Sequence, residues 1–187
     1  MTAPTSTQLP GYVVGTWDID PVHSDVSFTV RHKMVSKERG RLGTFSGEIV
    51  TAPEFTDSSV TATVDATSVD TGNAQRDGHI RTADFFEVEA HPEWTFTSTA
   101  VRAGGDGLVI DGDLTIKGVT KAVSLDTEIG GFGPDPYGGT RVGFTATTTI
   151  NRNDFGVDIS MPLDGGGVVV GEKVAITLEI EAVLRTA

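Results

Sequence analysis

Apolar and polar residues alternate with a period of two along most of this chain. Val26, Phe28, Val30 and His32 fall on one face of an extended segment, with Ser27, Thr29 and Arg31 on the other. The pattern returns at Phe45, Gly47, Ile49, then at Val60, Ala62, Val64, Ala66, and again at Trp94, Phe96, Ser98. It continues through Leu108, Ile110, Gly112, Leu114, Ile116 and through Val119, Lys121, Val123, Leu125, Thr127, Ile129. Val142, Phe144, Ala146, Thr148, Ile150 and Val174, Ile176, Leu178, Ile180, Ala182, Leu184 complete the set. The facing positions are rich in Thr, Asp and Glu, so each run reads as an antiparallel strand with one wet face. Eight good strands result, with a short additional one at Trp17 to Asp20.

Turn residues separate the runs. Gly104 to Gly107 reads as a hairpin, because glycine accepts the positive φ of a tight turn, and Lys117-Gly118 divides the next two strands. Gly130 to Gly139 reads as a longer mobile loop, Asn151 to Gly171 as an irregular stretch, and residues 1–14 as a flexible tail ahead of one domain over 15–187. Only Gly72 to Glu87 lacks alternation; it predicts a short helix outside the sheet, closing one end. No amphipathic helix is long enough to cover a sheet, so the sheet must cover itself as a sandwich or barrel. The expected fold is all-β, a single extended antiparallel eight-stranded barrel with a short helix between strands. Such a barrel is wide enough either to be filled by side chains or to hold one small ligand. The inward positions mix Phe28, Trp94, Phe96 and Phe144 with Gly47, Ala62, Gly112 and Ala146, a mixture that suits both outcomes.

Composition narrows the chemistry. The chain has 187 residues, 37% hydrophobic and 21% charged, enough to bury a core without staples. It has no cysteine, which excludes disulfides, thiolate metal sites and cysteine nucleophiles. A formal charge of −12 disfavours nucleic acid and broad adhesion to anionic membranes. Neither a secretion signal nor a run of about 20 apolar residues is visible, so a cytoplasmic protein with no membrane span is the expectation.

Candidate reactive groups are sparse. His23, Ser24 and Asp25 are the residue types of a hydrolase triad, but consecutive side chains on extended backbone point apart. His23, His32, His79 and His91 show no metal-ligand spacing, and Asp111 and Asp113 lack the rest of a calcium loop. Arg76-Asp77-x-His79-x-Arg81 suits either an anion grip or an anchor of the short helix on the barrel rim. The residues alone predict no enzyme, no catalytic residue, no metal and no cofactor.

Six blocks in order resemble the YceI-like, polyisoprenoid-binding family of bacterial proteins. They are Trp17-Asp-Ile-Asp20-x-x-His23-Ser24-x-Val26-x-Phe28-x-Val30-x-His32; Gly43-x-Phe45-x-Gly47; Arg76-Asp77-x-His79-Ile-Arg-x-x-Asp84-Phe85-Phe86; Pro92-x-Trp-x-Phe96; Gly112-Asp-Leu-Thr-Ile-Lys-Gly118; and Arg152-x-Asp-Phe-Gly156. The resemblance implies a lipocalin-like barrel whose hydrophobic tunnel binds, sequesters or transports a polyprenyl phosphate, an isoprenoid quinone or a fatty-acid-like lipid, without catalysis. Generic apolar positions would then line the tunnel: Phe28, Val30, Phe45, Val64, Trp94, Phe96, Ile110, Leu114, Phe144, Ile176 and Leu178. Polar head contacts would come from His23, Arg76, His79 or Arg81. The alternative from another class is a filled barrel, a stress-associated structural or partner-binding protein without ligand. A homodimer is compatible with either. Many relatives carry a secretion signal, which this sequence does not show.

Overall fold

A computed structural model describes residues 9–32, 36–104, 107–159 and 170–186. Its strands are β1 (Gly15–Ile19), β2 (Asp25–His32), β3 (Ser36–Leu42), β4 (Phe45–Thr51), β5 (Ser59–Asp65) and β6 (Val69–Asp70). A helix α1 (Ala74–Ile80) precedes β7 (Glu93–Gly104), β8 (Gly107–Ile116), β9 (Val119–Pro134), β10 (Thr140–Asn151) and β11 (Val170–Leu184). All pairings are antiparallel, in the order β1-β4-β5-β7-β8-β9-β10-β11-β2-β3-β6, and β1 also pairs with β11. That last contact closes the barrel.

The eleven strands make eight staves. β11 pairs through Ala182 to Leu184 with β1 and through Val174 to Glu179 with β2, so β1 and β2 are one stave, bent between them. At the bend Ser24 takes over the ladder: its hydroxyl donates to the Glu181 carbonyl and accepts from the Glu181 amide. β4 and β3 form the next stave, pairing with β1 and β2 respectively. β3 was not legible as a strand, because Ser36-Lys-Glu-Arg-Gly-Arg-Leu42 has no apolar alternation. β6 pairs only with Arg41 and Leu42, so Ser36 to Gly40 have no strand beyond them among the described residues. α1 stands beside this gap.

Other expectations change in detail. β9 runs to Pro134 and β10 begins at Thr140, so most of the glycine-rich stretch from Gly130 is ladder; the turn proper is Asp135 to Gly139. Residues 9–14 lie against the barrel: Leu9, Tyr12 and Val13 pack on core clusters, and the Tyr12 hydroxyl donates to the Ala52 carbonyl at 2.6 Å. Residues 1–8, the middle of the Gly104–Gly107 turn and residues 160–169 of the stretch expected from Asn151 to Gly171 lie outside the described residues. Lys117-Gly118 is a tight turn with φ of 52° and 75°, the positive pair that a two-residue hairpin needs. Among the described residues no helix is long and apolar enough to cross a membrane.

Candidate functional site: an apolar bore

The inward side chains do not fill the barrel. They surround a cavity of about 350 Å³, at the lower part of the range for small-molecule sites. The filled-core alternative therefore does not describe this barrel. All eleven apolar positions expected on a tunnel wall border this one cavity, from Phe28 and Val30 on β2 to Ile176 and Leu178 on β11.

Register explains why bulky rings leave a bore open. Phe28 lies directly opposite Gly40, and a Cβ at Gly40 would come within 2.3 Å of the Phe28 ring. The Phe96 ring lies over Gly112 in the same way, within 2.4 Å of where that Cβ would be. Each ring thus occupies the space of a missing side chain on the neighbouring strand and lies along the wall. The small residues do not simply widen the bore; two of them give aromatic rings somewhere to lie. Ala62, opposite Phe96, borders the cavity directly.

One end of the barrel is plugged. Trp17 is wholly buried with Ile49, Val142 and Ala182, and Phe132 packs edge-on against it. Its indole N–H donates to Thr51 Oγ1 at 2.9 Å, and that hydroxyl donates onward to the Val13 carbonyl. Outside this end, Arg141 holds Asp20 at 2.8 Å and Asp135 at 2.9 Å. Hydrogen bonds from His23 and Arg141 hold the Asp20 carboxyl down at about 2, against an ordinary 3.8.

The other end carries the polar groups. Arg76 and His79 on α1 border the cavity, as do Arg31, Glu38 and Arg39 of the β2–β3 hairpin. Arg76 meets Glu38 at 3.3 Å and donates to the Thr71 hydroxyl and carbonyl, while His79 pairs with Asp84 at 2.8 Å. Asn73 caps α1, its side chain accepting from the Arg76 amide. Asp77, buried, accepts from Thr71 and ties the helix to β6.

Two expected head-group contacts are corrected. His23 sits outside the plugged end, bonded to Asp20, because the bend between β1 and β2 turns it away from the interior. Arg81 does not border the cavity; its guanidinium donates to the Thr67 and Val69 carbonyls and pins the end of α1 to the rim. The triad-like residues do not converge either, since Ser24 serves the β11 backbone and Asp25 pairs with Arg41. A cavity residue not foreseen is Arg152, buried and donating to the carbonyls of Val157, Val170 and Gly171. Burial pulls its pKa down, and the nearby charges of Glu172 and Asp158 partly oppose that. Its Arg-x-Asp-Phe-Gly motif was visible in the sequence, but its contact with the bore needed the fold. Among the described residues no cluster of His, Asp and Glu could hold a metal ion.

Comparison with known proteins agrees with this geometry. The model of the YceI-like domain family matches residues 17–182. A UPF0312 protein of Shewanella baltica is 41% identical over 161 residues, covering 85% of this chain and 83% of that one. A UPF0312 protein of Vibrio parahaemolyticus is 40% identical over 85% of this chain and 84% of its own. Among solved structures, BcnA of Burkholderia cenocepacia superposes with a TM-score of 0.75 at 24% identity, covering 87% of this chain and 98% of BcnA. A polyisoprenoid-binding domain from Saccharophagus degradans superposes with a TM-score of 0.64 at 18% identity, covering 92% of this chain and all of that domain.

Proposed function

This chain belongs to the YceI-like family, and from that premise we propose that it binds and carries one long apolar chain, isoprenoid or acyl, within its bore. The carrying observation is the continuous apolar wall around an unfilled cavity. Binding is driven by removing chain and wall from water, at about 0.8 kcal/mol for each CH₂ buried. The polyisoprenoid binding of the Saccharophagus domain supports an isoprenoid among the candidate ligands. The polar head of the ligand would lie at the α1 end, beside Arg76 and His79, since the opposite end is closed by Trp17. No catalytic step and no cofactor belong to this reading; the lipid is the ligand.

Native purification, organic extraction and mass spectrometry test it. A long-chain lipid at one per protein is expected. Repeated absence, together with failure to take up added polyprenyl compounds, would overturn the proposal. Ala62→Trp, which projects a ring into the bore, should abolish uptake in a protein that still folds.

A further inference from the structure

The outer face of the β2–β3 hairpin carries a charge pattern that the barrel does not need. Alternation turns Arg31 of β2 and Lys37, Arg39 and Arg41 of β3 to one face, through the pairs Arg31↔Lys37, Thr29↔Arg39 and Ser27↔Arg41. All four cations are exposed. Four of the chain's 14 Lys and Arg are therefore gathered on one strand pair with two carboxylates, Asp25 and Glu38, while the other ten are outnumbered by the remaining 24 of the chain's 26 Asp and Glu. Arg31 and Lys37 face each other directly, and like charges so placed repel. Arg41 has a partner in Asp25 at 3.0 Å, but Arg31, Lys37 and Arg39 form no ion pair among the described residues. Elsewhere on the barrel Arg102, Arg141 and Arg185 each hold at least one carboxylate.

Guarding an open sheet edge with cations is a common device, and it would account for β3. It does not account for Arg31, because β2 lies between β11 and β3 and has no open edge. The position of the patch suggests another role: Arg31 and Arg39 also border the cavity, at the end away from Trp17 where Arg76 and His79 lie.

We propose that this face docks on an anionic lipid bilayer, setting the mouth of the bore against the membrane for exchange of its lipid. The exchange step rests on the carrier reading; the docking does not. The face is spread along two strands, and Lys37 and Arg41 do not border the cavity, which suits an extended array of headgroups better than the single head of a bound lipid. At physiological salt charges are screened beyond about 8 Å, so the acidic remainder of the barrel does not cancel the patch at contact. It instead repels the membrane and turns the hairpin toward it.

Sedimentation of the full chain with vesicles tests the docking. Binding is expected to vesicles containing phosphatidylglycerol and not to phosphatidylcholine alone, and to weaken as salt is raised. Each basic side chain at such a surface contributes about five-fold in affinity, so R31A/K37A/R39A should lose on the order of 100-fold. Equal binding by that variant, or no binding by the parent, would overturn the docking proposal. K37E, which leaves the cavity wall untouched, should lose about 25-fold on vesicles while taking up detergent-dispersed geranylgeraniol normally. Lost uptake with undiminished vesicle binding would instead assign the patch to the ligand's head and overturn docking. In the parent protein, uptake without vesicle binding would leave the carrier standing and remove the docking, whereas vesicle binding without uptake would remove the carrier and leave the docking standing.

Discussion

Trp17 and Trp94 lie toward opposite ends of one barrel and show how differently the two ends are built. Trp17 is a plug: wholly buried, packed against Phe132, its N–H satisfied by Thr51. Trp94 is wall: it borders the cavity, meets Phe86 edge-on at 4.8 Å, and its buried N–H has no hydrogen-bond partner among the described residues. A buried donor without a partner costs about 1–3 kcal/mol, a cost consistent with an end shaped for a ligand more than for stability. The same residue type thus closes one end of the barrel and lines the open interior at the other.

Substitutions sharpen this contrast. Trp17→Ala should cost the most, about 3–5 kcal/mol for emptying a packed aromatic site, read as a lowered denaturation midpoint with unchanged slope. A loss under about 1 kcal/mol would mean that this end is not a plug. Gly40→Ala should cost about 1–3 kcal/mol, because the new methyl group displaces the Phe28 ring. The ring must then swing into the bore, so lipid uptake should fall as well; normal uptake would show that the ring's place on the glycine does not keep the bore open. Trp94→Phe, which removes the unpartnered N–H, should stay within about 1 kcal/mol of the parent and shift toward greater stability. If it costs as much as Trp17→Phe, the contrast fails.

A separate effect is one of pH. The Asp20 carboxyl is held at about 2 in the folded protein against 3.8 ordinarily. Its contribution to stability is therefore present above about pH 4 and lost as pH falls toward about 2. Thermal melts over this range should show a shallower acid decline in Asp20→Asn than in the parent. Parallel declines would remove Asp20 from the account of the plugged end.

The fold was legible wherever one face of a strand is buried and the other wet. Val142 to Ile150 and Val174 to Leu184 pair along nearly their whole length as alternation requires. β3 escaped because its outward face is basic and its inward face holds Glu38 and Gly40 where apolar residues would be expected. Packing of Leu9, Tyr12 and Val13 escaped because it depends on Tyr12 reaching Ala52 and Phe132, contacts far away in sequence. The wall residues were legible as a face, but the openness of the bore was not. It depends on Phe28 meeting Gly40 and Phe96 meeting Gly112, and such meetings are set by register between strands. The misplacement of His23 and Arg81 has the same origin: a charged motif shows a need for partners without showing whether backbone or ligand supplies them.

Contact quenching by a brominated long acyl chain tests the open bore most directly, because the two tryptophans report separately on wall and plug. Titration of the parent protein should quench the Trp94 part of the emission to saturation, while in Trp94→Phe the remaining Trp17 emission should stay unchanged. No quenching in the parent, or equal quenching in the variant, would contradict the account.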